Sequence, residues 1–145
     1  MNAKVMRSPK PKLMRDAVIE EIYAAAQKDK DILFISADLG AAALDEFREK
    51  LPGQFIHAGI SEQNMVDLAS GLALSGKKVF LYAMAPFITA RCYEQVKCVI
   101  ASMNLPVTLI AVGVGLGSII LQTLDVGRLL RVRSSEMGVL RLQIF

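Results

Sequence analysis

The chain has 145 residues, of which 53% are apolar and 21% are charged, so it can bury one core and lacks the composition of a disordered protein. This length excludes a two-domain enzyme. The net charge of +3 is unevenly distributed: residues 1–15 hold five basic groups, residues 128–145 hold four, and the stretch between them carries 8 basic against 13 acidic groups. We therefore expect basic tails on an acidic body and no nucleic-acid surface.

Cysteine use and the first residues bear on the compartment. Cys92 and Cys98 are six residues apart in one predicted helix, which places them about 240° apart around its axis and prevents a disulfide between them. Residues 1–16 contain no apolar stretch typical of a signal peptide. We expect a reducing, cytoplasmic location. The uncharged stretch 98–124 is interpreted as a helix end followed by a buried strand, not as a membrane span.

Hydrophobic periodicity predicts strands alternating with helices along the chain. The predicted helices cover residues 13–27, 42–50, the stretch from a cap at Ser61 to an end at Ser75-Gly76, and 87–103; the predicted strands cover residues 31–38, 54–57, 77–82 and 106–112. This order indicates an α/β fold with a parallel sheet and helices on both faces. Ligands of such sheets bind at the carboxyl ends of the strands, here near Asp38, residues 57–62, residues 83–87 and residues 113–117.

Glu62 is the first candidate for chemistry, because it lies in the first predicted turn of a helix that follows a glycine turn, in the segment GISEQNM. By spacing alone, the helix dipole is a sufficient reason for an acid at this position. Gly113, Gly115 and Gly117 do not have the spacing of a dinucleotide-binding fingerprint and are interpreted as a close backbone turn. His57, the only histidine, is interpreted as structural, and no metal site can be assembled around it.

Four segments together strengthen the interpretation of Glu62 as a chemical group: ILFISADLG, GISEQNM, the block from Phe80 to Gln95, and NLPVTLIAVGVGLG. With them, residues 13–117 resemble the pyrimidine-binding domain of transketolase-like thiamine diphosphate enzymes. The resemblance is greatest to transketolases and deoxyxylulose-phosphate synthases. It implies three divisions of the chain: a basic extension over residues 1–12, the domain over residues 13–117, and a divergent tail over residues 118–145.

The resemblance also implies roles for individual residues. Glu62 would hydrogen-bond N1′ of the cofactor's aminopyrimidine, favouring the imino tautomer whose 4′ nitrogen removes the thiazolium C2 proton. Phe87 would pack against the pyrimidine, with Tyr82 and Tyr93 as further candidates, although all three could be ordinary core aromatics. Arg91 would serve the active site or a subunit interface, or be a solvated helix residue. Asp38 would lie near the cofactor or a dimer contact, or form a turn.

The chain departs from the family after Gly117. The Gly-Pro-Thr-His-like loop does not follow, the sequence after residue 125 matches nothing expected of the family, and neither the diphosphate-binding nor the C-terminal module is present. We interpret the chain as a truncated or frame-altered C-terminal subunit of a transketolase.

Such a subunit would act on sugar phosphates, form homo-oligomers, and depend on an N-terminal subunit to hold Mg²⁺ and the diphosphate. Two alternatives stay open: a non-catalytic dimerisation or regulatory module, and a fragment of a deoxyxylulose-phosphate synthase or 2-oxoacid-decarboxylating enzyme.

Overall fold

A computed structural model describes residues 13–113 and the backbone of residues 141–144. The basic extension over residues 1–12 and residues 114–140 lie outside the described part. The helices are α1 Met14–Ala26, α2 Leu44–Lys50, α3 Glu62–Leu74, α4 Ala85–Ile88, α5 Tyr93–Gln95 and a π-helical segment Val96–Ala101. The strands are β1 Ile32–Ala37, β2 Phe55–Gly59, β3 Lys78–Met84, β4 Val107–Val112 and β5 Arg141–Ile144, and a 3₁₀ turn Pro52–Gln54 precedes β2.

The five strands form one parallel sheet in the order β2-β1-β3-β4-β5. The central strand β1 has the sequence ILFISA and is buried at every position, as expected of a parallel strand covered on both faces. Helices α3 and α4 and the π-helical segment cover one face, while α1 and α2 cover the other. The predicted α/β fold with a parallel sheet between two helical layers is confirmed.

Side chains of the central strands alternate between the two cores, because successive residues of a strand point to opposite faces. Leu81 and Leu109 pack with Met65 of α3 on one face. Tyr82 and Phe34 pack with Phe47 of α2 on the other. Each side chain near the carboxyl end of β3 can therefore contribute to a site on one face of the sheet only.

The predicted single helix over residues 87–103 is wrong. The short helix α4 begins at Ala85, with Pro86 in its first turn, and residues 89–92 then form turns before α5. Two side chains also donate to backbone carbonyls there: the Thr89 hydroxyl to the carbonyl of Ala85, and the Cys92 thiol to the carbonyl of Phe87. Both cysteines are free, Cys92 buried and Cys98 exposed.

The described part of the uncharged stretch 98–124 is the end of the π-helical segment and the strand β4, as predicted. Within the ranges that the structure describes, no helix has the length and apolar character needed to cross a bilayer. In the divergent tail, where the sequence gives no clear period, the backbone of residues 141–144 pairs parallel to β4.

Candidate functional site

A small pocket lies where the carboxyl ends of β1 and β3 meet the start of α3. Its volume is about 150 Å³. The lining residues come from the end of β1 and the two residues after it, from the turn into α3 and its first residue, and from the end of β3 and helix α4. They are Ala37, Asp38, Leu39, Ile60, Glu62, Met84 and Phe87. This is the edge of the sheet at which the parallel topology predicts a ligand site.

The turn between β2 and α3 places Glu62 in this pocket. Gly59 has a φ of +71°, a left-handed conformation that a residue without a Cβ adopts at little cost. Ser61 is at the N-cap position, but its hydroxyl donates to the carbonyl of Ala58 (2.6 Å) and does not cap the helix through its side chain, in contrast to the prediction. Glu62 follows in the first turn and is only 5% exposed. The positive end of the helix dipole favours a carboxylate there.

Arg91 connects two of the predicted site residues. Its Nη1 donates to Glu62 Oε2 at 3.1 Å, and its Cζ lies 4.1 Å from the centre of the Phe87 ring. The first contact is a charge-assisted hydrogen bond to a buried carboxylate, and the second has the geometry of a cation–π interaction. Glu62, Phe87 and Arg91, which are separated in the sequence, therefore form one cluster.

Cys92 packs beside this cluster. Its Sγ lies 3.0 Å from the Phe87 carbonyl oxygen, to which the thiol donates. Burial, and then the nearby charge of Glu62, raise the pKa of the Cys92 thiol to about 12. The thiol is therefore protonated at neutral pH and cannot serve as a nucleophile there.

Asp38 lines the pocket from the β1 side and has His57 as a neighbour, with 3.8 Å between His57 Nε2 and Asp38 Oδ1. Both side chains are largely exposed to solvent. His57, which is predicted to be structural, thus lies close to an acid at the rim of the pocket.

Two sequence candidates do not join the cluster. Tyr82 is fully buried on the opposite face of the sheet, packed against Phe34, and its hydroxyl has no hydrogen-bond partner among the described residues. Tyr93 is at the surface, with Lys97 Nζ 5.5 Å from its ring centre. Neither residue lines the pocket.

The pocket also has four apolar lining residues that the sequence does not single out, Ala37, Leu39, Ile60 and Met84. Ile60 and Met84 lie within the ranges 57–62 and 83–87 that the parallel topology predicts for a ligand, and Ile60 is 78% exposed. Ala37 and Leu39 carry no sequence signal beyond their places beside Asp38.

A larger pocket of about 330 Å³ lies beside the first, on the α1 side of the same sheet edge, and shares Leu39 and Met84 with it. Its lining is mostly apolar, and Arg15 is the one ionisable residue that the described part of the chain adds to its walls. The smaller pocket combines a buried carboxylate, an aromatic ring and a second acid, so it is the better candidate for chemistry. Among the described residues no group of three or more His, Cys, Asp or Glu side chains could hold a metal ion.

Comparisons with known proteins agree with this geometry. Residues 10–119 match the family described as the transketolase pyrimidine binding domain. One of the subunits of an apulose-4-phosphate transketolase from Phocaeicola vulgatus is 39% identical over 102 residues, 70% of this chain and 33% of the relative. A 1-deoxy-D-xylulose-5-phosphate synthase from Clostridium perfringens is 38% identical over 91 residues, 62% of this chain and 14% of the relative.

Among solved structures, a split gene transketolase in an inactive beta4 tetramer superposes with a TM-score of 0.62 and 29% identity, over 68% of this chain and 33% of that one. The chain thus spans about a third or less of the length of the proteins it matches. Since the family match covers most of the chain and the parallel sheet agrees with it, the chain belongs to the transketolase pyrimidine-binding domain family.

Proposed function

We propose that this domain binds the aminopyrimidine of thiamine diphosphate in a transketolase-type enzyme, and that Glu62 shares a proton with ring nitrogen N1′. The observation that carries the proposal is the buried carboxylate of Glu62 on the wall of a pocket at the carboxyl edge of the sheet. A carboxylate removed from water holds a proton with a ring nitrogen more strongly than an exposed one does.

The residues present fit this group. Glu62 Oε2 accepts from Arg91, and among the described residues no donor binds Oε1, so one oxygen is available to the ligand. Phe87 presents an aromatic side chain to the same pocket, suited to packing against a flat heteroaromatic ring. Asp38 adds an acceptor at the rim.

The small size of the pocket supports the inference that this chain forms only half of a cofactor site. A volume of about 150 Å³ is well below the roughly 300–1,000 Å³ usual for pockets that enclose a whole ligand of this class. Ile60 at its edge is 78% exposed, as expected of a residue that a second chain covers. We infer that an N-terminal transketolase subunit supplies the diphosphate site and Mg²⁺, and that this chain also associates with itself. A split transketolase relative and a beta4 tetramer among the structural neighbours support both inferences.

The proposed reaction is transfer of a two-carbon ketol unit between sugar phosphates. Bound thiamine diphosphate supplies the nucleophilic carbon that carries the transferred unit. The residues of this chain bind and orient the pyrimidine: Glu62 holds the proton at N1′, Phe87 packs on the ring, and the apolar pocket wall excludes water. A second candidate is 1-deoxy-D-xylulose-5-phosphate synthesis, favoured by the synthase relative with a similar identity.

Glu62→Gln tests the proposal, because the amide keeps the shape of the side chain but cannot hold the proton. Glu94→Gln is the matched control, since Glu94 is an exposed glutamate of the neighbouring helix α5. Binding of thiamine to the full chain is measured by titration calorimetry, and ketol transfer is measured after addition of a diphosphate-binding transketolase subunit.

We expect Glu62→Gln to weaken thiamine binding about tenfold or more, the loss of one hydrogen bond to a charged group, and to abolish ketol transfer. Glu94→Gln should behave as the wild type does. Unchanged thiamine binding and turnover in Glu62→Gln would refute the proposed role. Substrate tests with the assembled complex separate ketol transfer from the synthase reaction.

A further inference from the structure

We propose that Arg91 is a positioning residue, which acts on the bound pyrimidine through Glu62 and Phe87 and does not contact the ligand itself. This inference rests on the proposed function, because it concerns the same pocket. It changes the role that the sequence suggested for Arg91, from a cofactor-binding residue to one that holds the two binding groups.

The placement of the guanidinium supports this role. Glu62 and Phe87 both line the pocket, whereas Arg91 does not. Arg91 nevertheless contacts both of them, at 3.1 Å from Glu62 Oε2 and 4.1 Å from the centre of the Phe87 ring. It therefore joins the acid to the aromatic ring from outside the pocket and leaves the space between them open.

The charge of Arg91 matters because Glu62 is almost completely buried. A carboxylate at 5% exposure has lost most of its hydration, and a cationic hydrogen-bond partner offsets that cost. The hydrogen bond at Oε2 also restricts rotation of the carboxylate, so that Oε1 keeps a fixed direction. Preorganised groups of this kind lower the ordering cost of binding.

The backbone of Arg91 is itself fixed from two sides. Its N–H donates to the carbonyl of Pro86 at 3.0 Å, and its carbonyl accepts from Gln63 Nε2 at 3.2 Å. Gln63 is the neighbour of Glu62 in α3, so this second bond connects the turn that carries Arg91 to the helix that carries the acid. The break after α4, which sequence periodicity does not predict, is thus part of the support of the site.

The test is a double-mutant cycle on the full chain, with thiamine as the probe. The variants are Arg91→Met, Arg91→Lys, Glu62→Gln and the double variant Glu62→Gln/Arg91→Met. Arg48→Met is the matched control, because Arg48 also pairs with a carboxylate, Asp45 (2.9 Å), and stacks on an aromatic ring, Phe55 (5.3 Å), away from the pocket.

We expect Arg91→Met to weaken thiamine binding about tenfold, and Arg91→Lys to recover most of the loss because the charge next to Glu62 is retained. In the Glu62→Gln background, Arg91→Met should weaken binding by no more than about threefold, since only the contact of Arg91 with Phe87 is left to lose. Arg48→Met should leave thiamine binding unchanged. A urea unfolding curve for each variant shows whether any loss is one of folding.

Three results would overturn the inference while leaving the proposed function in place: wild-type binding in Arg91→Met, tighter binding in Arg91→Met, and an equal loss with and without Glu62. Tighter binding would mean that the guanidinium occupies the place of the pyrimidine, and an equal loss would mean that Arg91 does not act through Glu62. Unchanged thiamine binding in Glu62→Gln is a different result, which refutes the proposed function and this inference with it.

Discussion

The hydroxyl of Tyr82 is a buried polar group that the described part of the fold leaves without a hydrogen bond. The side chain is 0% exposed, packed among aromatic residues of the α1 and α2 face, and burial raises the pKa of its hydroxyl. Arg15 and Asp16 are near enough for their charges to affect it, but neither forms a hydrogen bond with it of good geometry. A buried donor without a partner destabilises a protein, because the hydration lost on folding is not replaced.

Removal of this hydroxyl should therefore stabilise the domain. We expect Tyr82→Phe to raise the free energy of unfolding by about 1 kcal/mol, the lower end of the cost of an unpaired buried polar group. Urea denaturation followed by circular dichroism measures the change. Thiamine binding should not change, because Tyr82 lies on the face of the sheet opposite Glu62.

Tyr23→Phe is the matched control, since the Tyr23 hydroxyl is also in that core but accepts a hydrogen bond from Gln27 Nε2 at 3.0 Å. It should lower the free energy of unfolding by about 0.5–1 kcal/mol. A loss of stability in Tyr82→Phe as large as that in Tyr23→Phe would show that the Tyr82 hydroxyl has a partner.

The residues of the site differ in how far the sequence predicts them. Glu62 and Phe87 are named through the resemblance to the family, and the structure places both side chains on the wall of one pocket. The contact between Arg91 and Glu62 does not follow, because 29 residues separate the two and their approach depends on how α4 packs on α3. Tyr82 is a sequence candidate by its place near the end of β3, but the alternation of side chains along the strand turns it away from the pocket.

At the scale of elements, the sheet is the part that sequence predicts best. Strands β1, β3 and β4 are short apolar runs buried on both faces. Few structures other than a buried strand suit a sequence run of this kind. The prediction of one helix over residues 87–103 is wrong for a reason that hydrophobic periodicity does not report. Its apolar spacing is helical, but the regular hydrogen bonds stop after Thr89: the Arg91 N–H donates to the carbonyl of Pro86, five residues back, and the Cys92 thiol donates to that of Phe87.

Two glycines, one inside helix α3 and one just after it, test how backbone conformation contributes to the stability of the helix that carries the acid. Gly71 is in the helix interior and exposed, and Gly76 follows the helix with a φ of +89°. At neither position would an added Cβ meet another atom within 4 Å, so backbone conformation alone decides the effect. We expect Gly71→Ala to raise the free energy of unfolding by about 0.5–1 kcal/mol and Gly76→Ala to lower it by about 1–2 kcal/mol.

Thermal or urea unfolding of both variants measures these changes, and size-exclusion chromatography at the same concentrations reports any change in association. Changes of the same sign would contradict the assignment of the helix end. A loss of oligomer in Gly71→Ala, without a loss of folding, would instead place the exposed face of α3 in a subunit interface.

At the scale of the whole molecule, the proposed function assigns one end of the cofactor to the described part of the chain. The pocket offers a buried acid and an aromatic ring for the pyrimidine. Among the described residues there is no cluster of acids or histidines that could hold the metal ion that accompanies a diphosphate. Under the proposed function, in which a second subunit supplies the diphosphate site, the chain alone should distinguish pyrimidines and not phosphates.

This asymmetry gives a prediction that does not depend on turnover. Thiamine and thiamine diphosphate, titrated into the isolated chain with and without Mg²⁺, should bind with affinities equal within about twofold, because only their shared pyrimidine finds a site. Addition of a diphosphate-binding transketolase subunit should raise the affinity for thiamine diphosphate by about a hundredfold or more, on the order of 3 kcal/mol, and leave thiamine nearly unchanged. Glu62→Gln should weaken both ligands in both settings. A preference of the isolated chain for thiamine diphosphate that requires Mg²⁺ would show instead that this chain carries a diphosphate site of its own.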